Sequence, residues 1–191
     1  MKSTILLMSL AAMAMSLPAA TINFSGGGLL GTSNTYGPVT ATGYLSNLNT
    51  GALFGKGVLN GTGSEDGLGL NADSDHEIDG TDFIQLDISG LSGAIQIALS
   101  STGGDTWAVF GSNTLGTLGA TNLASGGSDD GSFVTVTNAT SWHYLDVKAV
   151  TNDVLLQRLS YTTPIPEPGT LGIVGLGGLV VGLMRRKLQR S

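Results

Sequence analysis

The chain has 191 residues with 30 glycines, only 12% charged side chains and no cysteine. That length suits one domain plus processing segments, and the lack of cysteine excludes disulfides, thiolate metal sites and a cysteine nucleophile. Residues 21–163 set three bases against thirteen acids, a formal charge of −10, so this part repels phosphates and excludes DNA and RNA as partners.

Residues 1–20 have the pattern of a signal peptide. Lys2 supplies the positive start, and residues 5–15 form an apolar run too short for an ordinary membrane span. Small residues follow. The expected partners are the secretion machinery and signal peptidase, with cleavage between Ser16 and Thr21. A cut after Ser16 or Ala19 fits the small-residue rule better than one after Ala20, which would place Pro18 at a position that prefers a small side chain.

Residues 21–163 are predicted to be one all-β domain, a β-sandwich of jelly-roll type. Strand signals fall at residues 21–24, at 36–46 with Pro38 as an interruption, and at 53–59. Ile84, Leu86 and Ile88 alternate with polar residues as in a half-buried strand. Ile95, Ile97 and Leu99 repeat the pattern after a Gly- and Ser-rich turn, which predicts an antiparallel hairpin. Further strands are predicted at 106–111, 133–137, 144–150 and 154–161. Nine short strands joined by Gly, Asn and Ser turns, without a repeat of fixed period, point to a sandwich and away from a solenoid.

The densest polar stretch lies at residues 65–82. Asp73, Asp75 and Glu77 stand at alternate positions there, as at the start of an EF-hand. Ile78 then stands where that loop needs glycine, and Ile84 where it needs a bidentate glutamate, so an EF-hand is excluded. An irregular Ca²⁺ site built on Asp73, Asp75 and Glu77 is the alternative to a plain solvated acidic loop. Catalytic patterns are absent: the sequence has no G-x-S-x-G, no H-E-x-x-H and no P-loop. The expectation is a protein that is not an enzyme and has no catalytic residues. Trp107, Trp142, Tyr144 and Tyr161 could stack on sugar rings or could fill the core.

The C-terminal end begins with Pro164, Pro166, Glu167 and Pro168, whose prolines favour an extended linker. Residues 169–184 are uncharged and span roughly 24 Å as a helix, enough for a short membrane crossing. Arg185, Arg186 and Lys187 then hold the far end in the cytoplasm. This order of Pro166-Glu167-Pro168, apolar span and basic cluster resembles the PEP-CTERM sorting signal. The resemblance covers residues 164–191. It implies an exosortase as partner, a transient stay in the inner membrane, and delivery to the cell surface or extracellular matrix of a Gram-negative bacterium that makes exopolysaccharide.

The middle of the chain bears a weaker likeness. Its GLGLN at residues 67–71, EIDG at 77–80 and DVLL at 153–156 resemble exported sandwich proteins with the same tail. The combined expectation is a non-enzymatic envelope or matrix protein associated with exopolysaccharide. A carbohydrate-binding module, with or without Ca²⁺, is the alternative, and a secreted hydrolase is third.

Overall fold

The computed structural model describes residues 19–57, 66–72, 74–100, 104–127 and 131–162. Residues 1–18 of the expected signal peptide, and the tail with its expected membrane helix, lie outside the described residues. The described part is all-β, with fourteen strands in two antiparallel sheets and one 3₁₀ turn, Ala139–Ser141. The strands are β1 Ala19–Asn23, β2 Gly28–Leu29, β3 Ser33–Tyr36, β4 Val39–Tyr44, β5 Thr50–Gly51, β6 Leu53–Lys56 and β7 Gly67–Leu70. They continue with β8 Phe83–Asp87, β9 Ile95–Ser100, β10 Thr106–Ser112, β11 Thr121–Gly126, β12 Val134–Val136, β13 Tyr144–Thr151 and β14 Leu155–Thr162.

The last eight strands are nested. β10 pairs with β11, β9 with β12, β8 with β13 and β7 with β14, all antiparallel. β14 also pairs with β9, and β13 with β10. The first sheet therefore runs β12-β9-β14-β7-β6-β2 and the second β11-β10-β13-β8-β4-β3. This is a long hairpin rolled so that successive pairs fall in opposite sheets, which is the jelly roll expected from the sequence. β1 takes the same edge of β14 as β7, but further along the strand, and β5 shares an edge of β4 with β3.

Two expectations need correction. Residues 84–88 and 95–99 do not form a hairpin. β8 pairs with β13 and β4 in one sheet, while β9 pairs with β12 and β14 in the other. Their connection crosses between layers. Periodicity identifies a strand but not its partner. β8 is also buried on both faces. Ile84 and Leu86 lie in the core, yet Gln85, on the opposite face, is only 1% exposed.

The core lies between the sheets and is aliphatic. Leu68, Leu70, Ile97, Leu156 and Leu159 from one sheet meet Val39, Ile84, Leu86, Val109, Leu145 and Val147 from the other. Alternation along each strand delivers these residues to one face. Gly69 sits between Leu68 and Leu70, where a Cβ would collide with the carbonyl oxygen of His76. The segment after β7 folds back over that glycine, and Ile78 then bridges Val154 through two backbone hydrogen bonds of 2.9 and 3.0 Å.

Gln85 is buried because the segment between β10 and β11 closes over the outer face of the second sheet. Gln85 Nε2 donates to Asp146 Oδ1 at 2.8 Å and to the carbonyl of Thr114 at 3.3 Å, and its Oε1 accepts from Gly116 N at 2.9 Å. Asp146 Oδ2 accepts from Gly119 N at 2.7 Å. These two neighbours on adjacent strands thus pin three loop residues. Asp146 is fully buried, and burial pushes its pKa up to about 6 against the pull of the Gly119 and Gln85 hydrogen bonds.

A raised carboxylate pKa stabilises the fold below the ordinary value, near 4, and that stability is lost as pH rises through about 6. Asp146→Asn is expected to remove this part of the pH dependence, on the order of 2–3 kcal/mol between pH 4 and 7. Urea unfolding of both proteins across that range checks it, and parallel profiles would show that Asp146 does not carry the proton.

Candidate functional site

Acidic residues from three connections gather at one end of the sandwich. The β7–β8 connection supplies Asp75, Glu77, Asp79 and Asp82, the β13–β14 connection supplies Asp153, and Asp105 precedes β10. Asp79 accepts from Thr81 N and Thr81 Oγ1, both at 2.7 Å, and from Asp82 N at 3.2 Å. Burial pushes its pKa up, but these hydrogen bonds and Lys148 outweigh burial and hold it below the ordinary carboxylate value. Asp82 is pushed up by burial and by the charge of Asp79, although it accepts Ser46 N at 2.8 Å. Asp153 is pushed up by burial and then by Asp75, Asp79 and Asp105. The end is therefore a region of mutual carboxylate repulsion, tempered by hydrogen bonds and by Lys56 and Lys148.

Of the three carboxylates expected to bind Ca²⁺, Asp73 lies outside the described residues. Asp75 accepts the Glu77 N–H at 3.2 Å, and Glu77 Oε1 forms an ion pair with Lys56 Nζ at 2.6 Å. Among the described residues, no three His, Asp or Glu side chains are grouped so as to hold a metal ion. His76, within the same loop, has a φ of 62° and stacks its ring on Phe54 at 3.9 Å.

The aromatic residues divide by burial. Trp107 is 2% exposed, lies in the core and donates its Nε1–H to Gly127 O at 3.2 Å, so it offers no face to a sugar. Trp142 lays its indole over Gly111 and, like Tyr161, packs against the core. Tyr144 is half-buried and meets the exposed His143 edge-on at 6.3 Å.

A second polar site was not anticipated from the sequence. β14 carries a bulge between Leu156 and Arg158 in its pairing with β9, and beside it the opposite edge changes partner from β1 to β7. A cleft of about 390 Å³ opens there, lined by Asn23, Ser25, Asp66, Gln157 and Arg158. Phe24 is buried in the core, so strand alternation turns its neighbours Asn23 and Ser25 outward. Arg158 Nη2 donates to Gly131 O, and its guanidinium stands 4.9 Å over the Phe133 ring. The available sequence signal was Arg158 itself, one of three bases in a strongly acidic domain.

The Lys56–Glu77 pair is mostly shielded, with side chains 13% and 11% exposed. A double-mutant cycle of Lys56→Met and Glu77→Gln is expected to give a coupling energy of about 1 kcal/mol, at or just above the upper end for exposed pairs. The coupling should be the same in Ca²⁺ and in EDTA. A coupling that vanishes in Ca²⁺ would mean that Glu77 leaves Lys56 for the cation.

Compared with the curated proteins, the chain matches none. Residues 164–187 match a family model, the PEP-CTERM protein-sorting motif. The match contains all six residues expected to form the signal: Pro166, Glu167, Pro168, Arg185, Arg186 and Lys187. The chain therefore carries, after its β-sandwich domain, the PEP-CTERM motif of an exported protein sorted by an exosortase.

Proposed function

We propose that the mature product is a non-catalytic envelope or matrix domain that associates with exopolysaccharide at the cell surface. The sorting motif at residues 164–187 carries this reading. The composition agrees with it: an excess of acidic charge without cysteine suits a domain that must stay soluble outside the cell. The strand register also agrees. Ala19 lies opposite Thr162, so the first and last described strands leave the sandwich at one corner. A precursor tethered near that corner presents the rest of the domain away from the membrane. A carbohydrate-binding module is the second reading, favoured by the polar cleft on β14.

The tail is tested by Glu167→Gln. A plain anchor needs only an apolar span and a basic stop, and tolerates this change. An exosortase that reads a carboxylate between two prolines should not. Fractionation with immunoblotting in the native host is expected to show the variant inserted but left uncleaved in the inner membrane. Wild-type release of the variant would reduce the tail to an ordinary anchor.

Association with polysaccharide is tested in the same host. The processed protein is expected to sediment with the matrix and to appear in the medium when polysaccharide synthesis is deleted. A distribution indifferent to that deletion would remove the association.

A further inference from the structure

Three of the residues that line the cleft beside the β14 bulge carry buried side-chain atoms that find no hydrogen-bond partner among the described residues: Asp66 Oδ1, Gln157 Oε1 and Arg158 Nε. Buried polar atoms in native proteins are nearly always paired, and each exception calls for an explanation, such as a bound partner that completes it. At about 390 Å³ the space far exceeds one water, which takes about 30 Å³. It falls at the small end of ligand sites, which run from about 300 to 1,000 Å³.

The donor and acceptor pattern narrows the ligand. Asp66 Oδ1 and Gln157 Oε1 accept, and Arg158 Nε donates. A bare cation would suit the two acceptors but would meet a guanidinium that is always charged. An anion would suit Arg158 but would face the Asp66 carboxylate in a domain of formal charge −10. Neighbouring hydroxyls satisfy all three atoms, because each hydroxyl both donates and accepts. Two O–H groups donate to Asp66 and Gln157, and one hydroxyl oxygen accepts from Arg158. Asn23 and Ser25, at the exposed rim, can each donate or accept toward further hydroxyls.

We propose that this cleft binds a neutral saccharide through adjacent hydroxyl groups. The inference deepens the proposed association with exopolysaccharide and rests on that reading for its source of ligand. The cleft is held in shape before any sugar arrives. Arg158 is fixed by Gly131 O and by Phe133. Gly131 has a φ of 73°, and a Cβ there would strike Gln157 Oε1, so only glycine lets both side chains lie as they do. Such preorganisation limits the ordering that binding would otherwise require.

The test uses the full chain in detergent, titrated by calorimetry with three probes: neutral oligosaccharides hydrolysed from the host's own matrix, acidic oligosaccharides from the same source, and Ca²⁺. The expected result is saturable binding of the neutral fraction, weakened at least ~10-fold by Asp66→Ala and by Gln157→Ala, with melting temperatures unchanged. Ser25→Ala, at an exposed position with little bearing on folding, should weaken binding less. Neutral binding that survives all three changes would overturn the cleft while leaving matrix association intact. Preference for the acidic fraction or for Ca²⁺, or no binding to any probe, would also overturn it. Binding lost in the variants, from a protein that never sediments with matrix in the host, would keep the cleft and remove the wider function.

Discussion

The structure depends on β14. It is the innermost strand of the first sheet, with β9 along one edge and both β1 and β7 along the other. A strand that serves three partners must be long, and β14 runs for eight residues, as does its neighbour in sequence, β13. Nesting explains the demand. When a hairpin is rolled, its outermost pair must close the barrel-like wrap, and that pair is β7 with β14. Of the early strands, β1, β6 and β4 take the edges that β14, β7 and β8 leave unpaired, and β2, β3 and β5 pair in turn with β6 and β4. The bulge at Gln157 follows from the same burden. One extra residue lets the strand bend as its outer partner changes from β1 to β7, and it redirects the side chains around it. The cleft is therefore a product of the wrap.

The second sheet meets a different constraint. Its outer face carries Gln85 and Asp146 side by side, at the register pair linking β8 and β13. Exposed to water, such a pair would be ordinary. Covered by the segment between β10 and β11, each polar atom needs a partner, and backbone groups of that segment supply them. Burial raises the cost of charge on Asp146 more than its two hydrogen-bonding neighbours, Gly119 and Gln85, recover it, which is the reason its proton is held to higher pH. A loop that looks like surface in sequence is thus tied to the sheet through buried polar side chains, and it lies so close that a Cβ at Gly116 would meet the Tyr44 ring.

How far the sequence could be read follows from these physics. Alternation in 84–88, 95–99 and 144–150 marked β8, β9 and β13, because only one face of each strand carries the apolar side chains of the core, even in β8, whose other face is covered at Gln85. Short, glycine-rich or exposed strands escaped: β7 is GLGL, and β11 buries only Leu123 among six residues. Pairing escaped too, since the hairpin expected between β8 and β9 needed only adjacency in the chain, whereas a jelly roll sends them to opposite sheets. The acidic run at 65–82 was visible as charge. That Glu77 turns to Lys56 and Asp79 to Thr81 depends on three-dimensional packing that charge counts do not contain. The cleft was least legible of all, because Asn23, Asp66 and Arg158 lie far apart in sequence and meet only through the register of β1 and β7 on β14.

The tail and the domain meet at a point that the register fixes. β14 ends at Thr162, directly before the matched motif begins at residue 164, and β1 begins at Ala19, opposite Thr162. Cleavage after Ser16 preserves every residue of β1. Cleavage after Ala20 removes the two residues that pair with Thr162 and Tyr161 and exposes part of an edge on the central strand. An intact β1 keeps β14 paired up to its last residue, so that the sorting motif follows a strand already held on both sides. The strand pairing that completes the sandwich thus sets Ala19 opposite Thr162, the last described residue before the sorting motif.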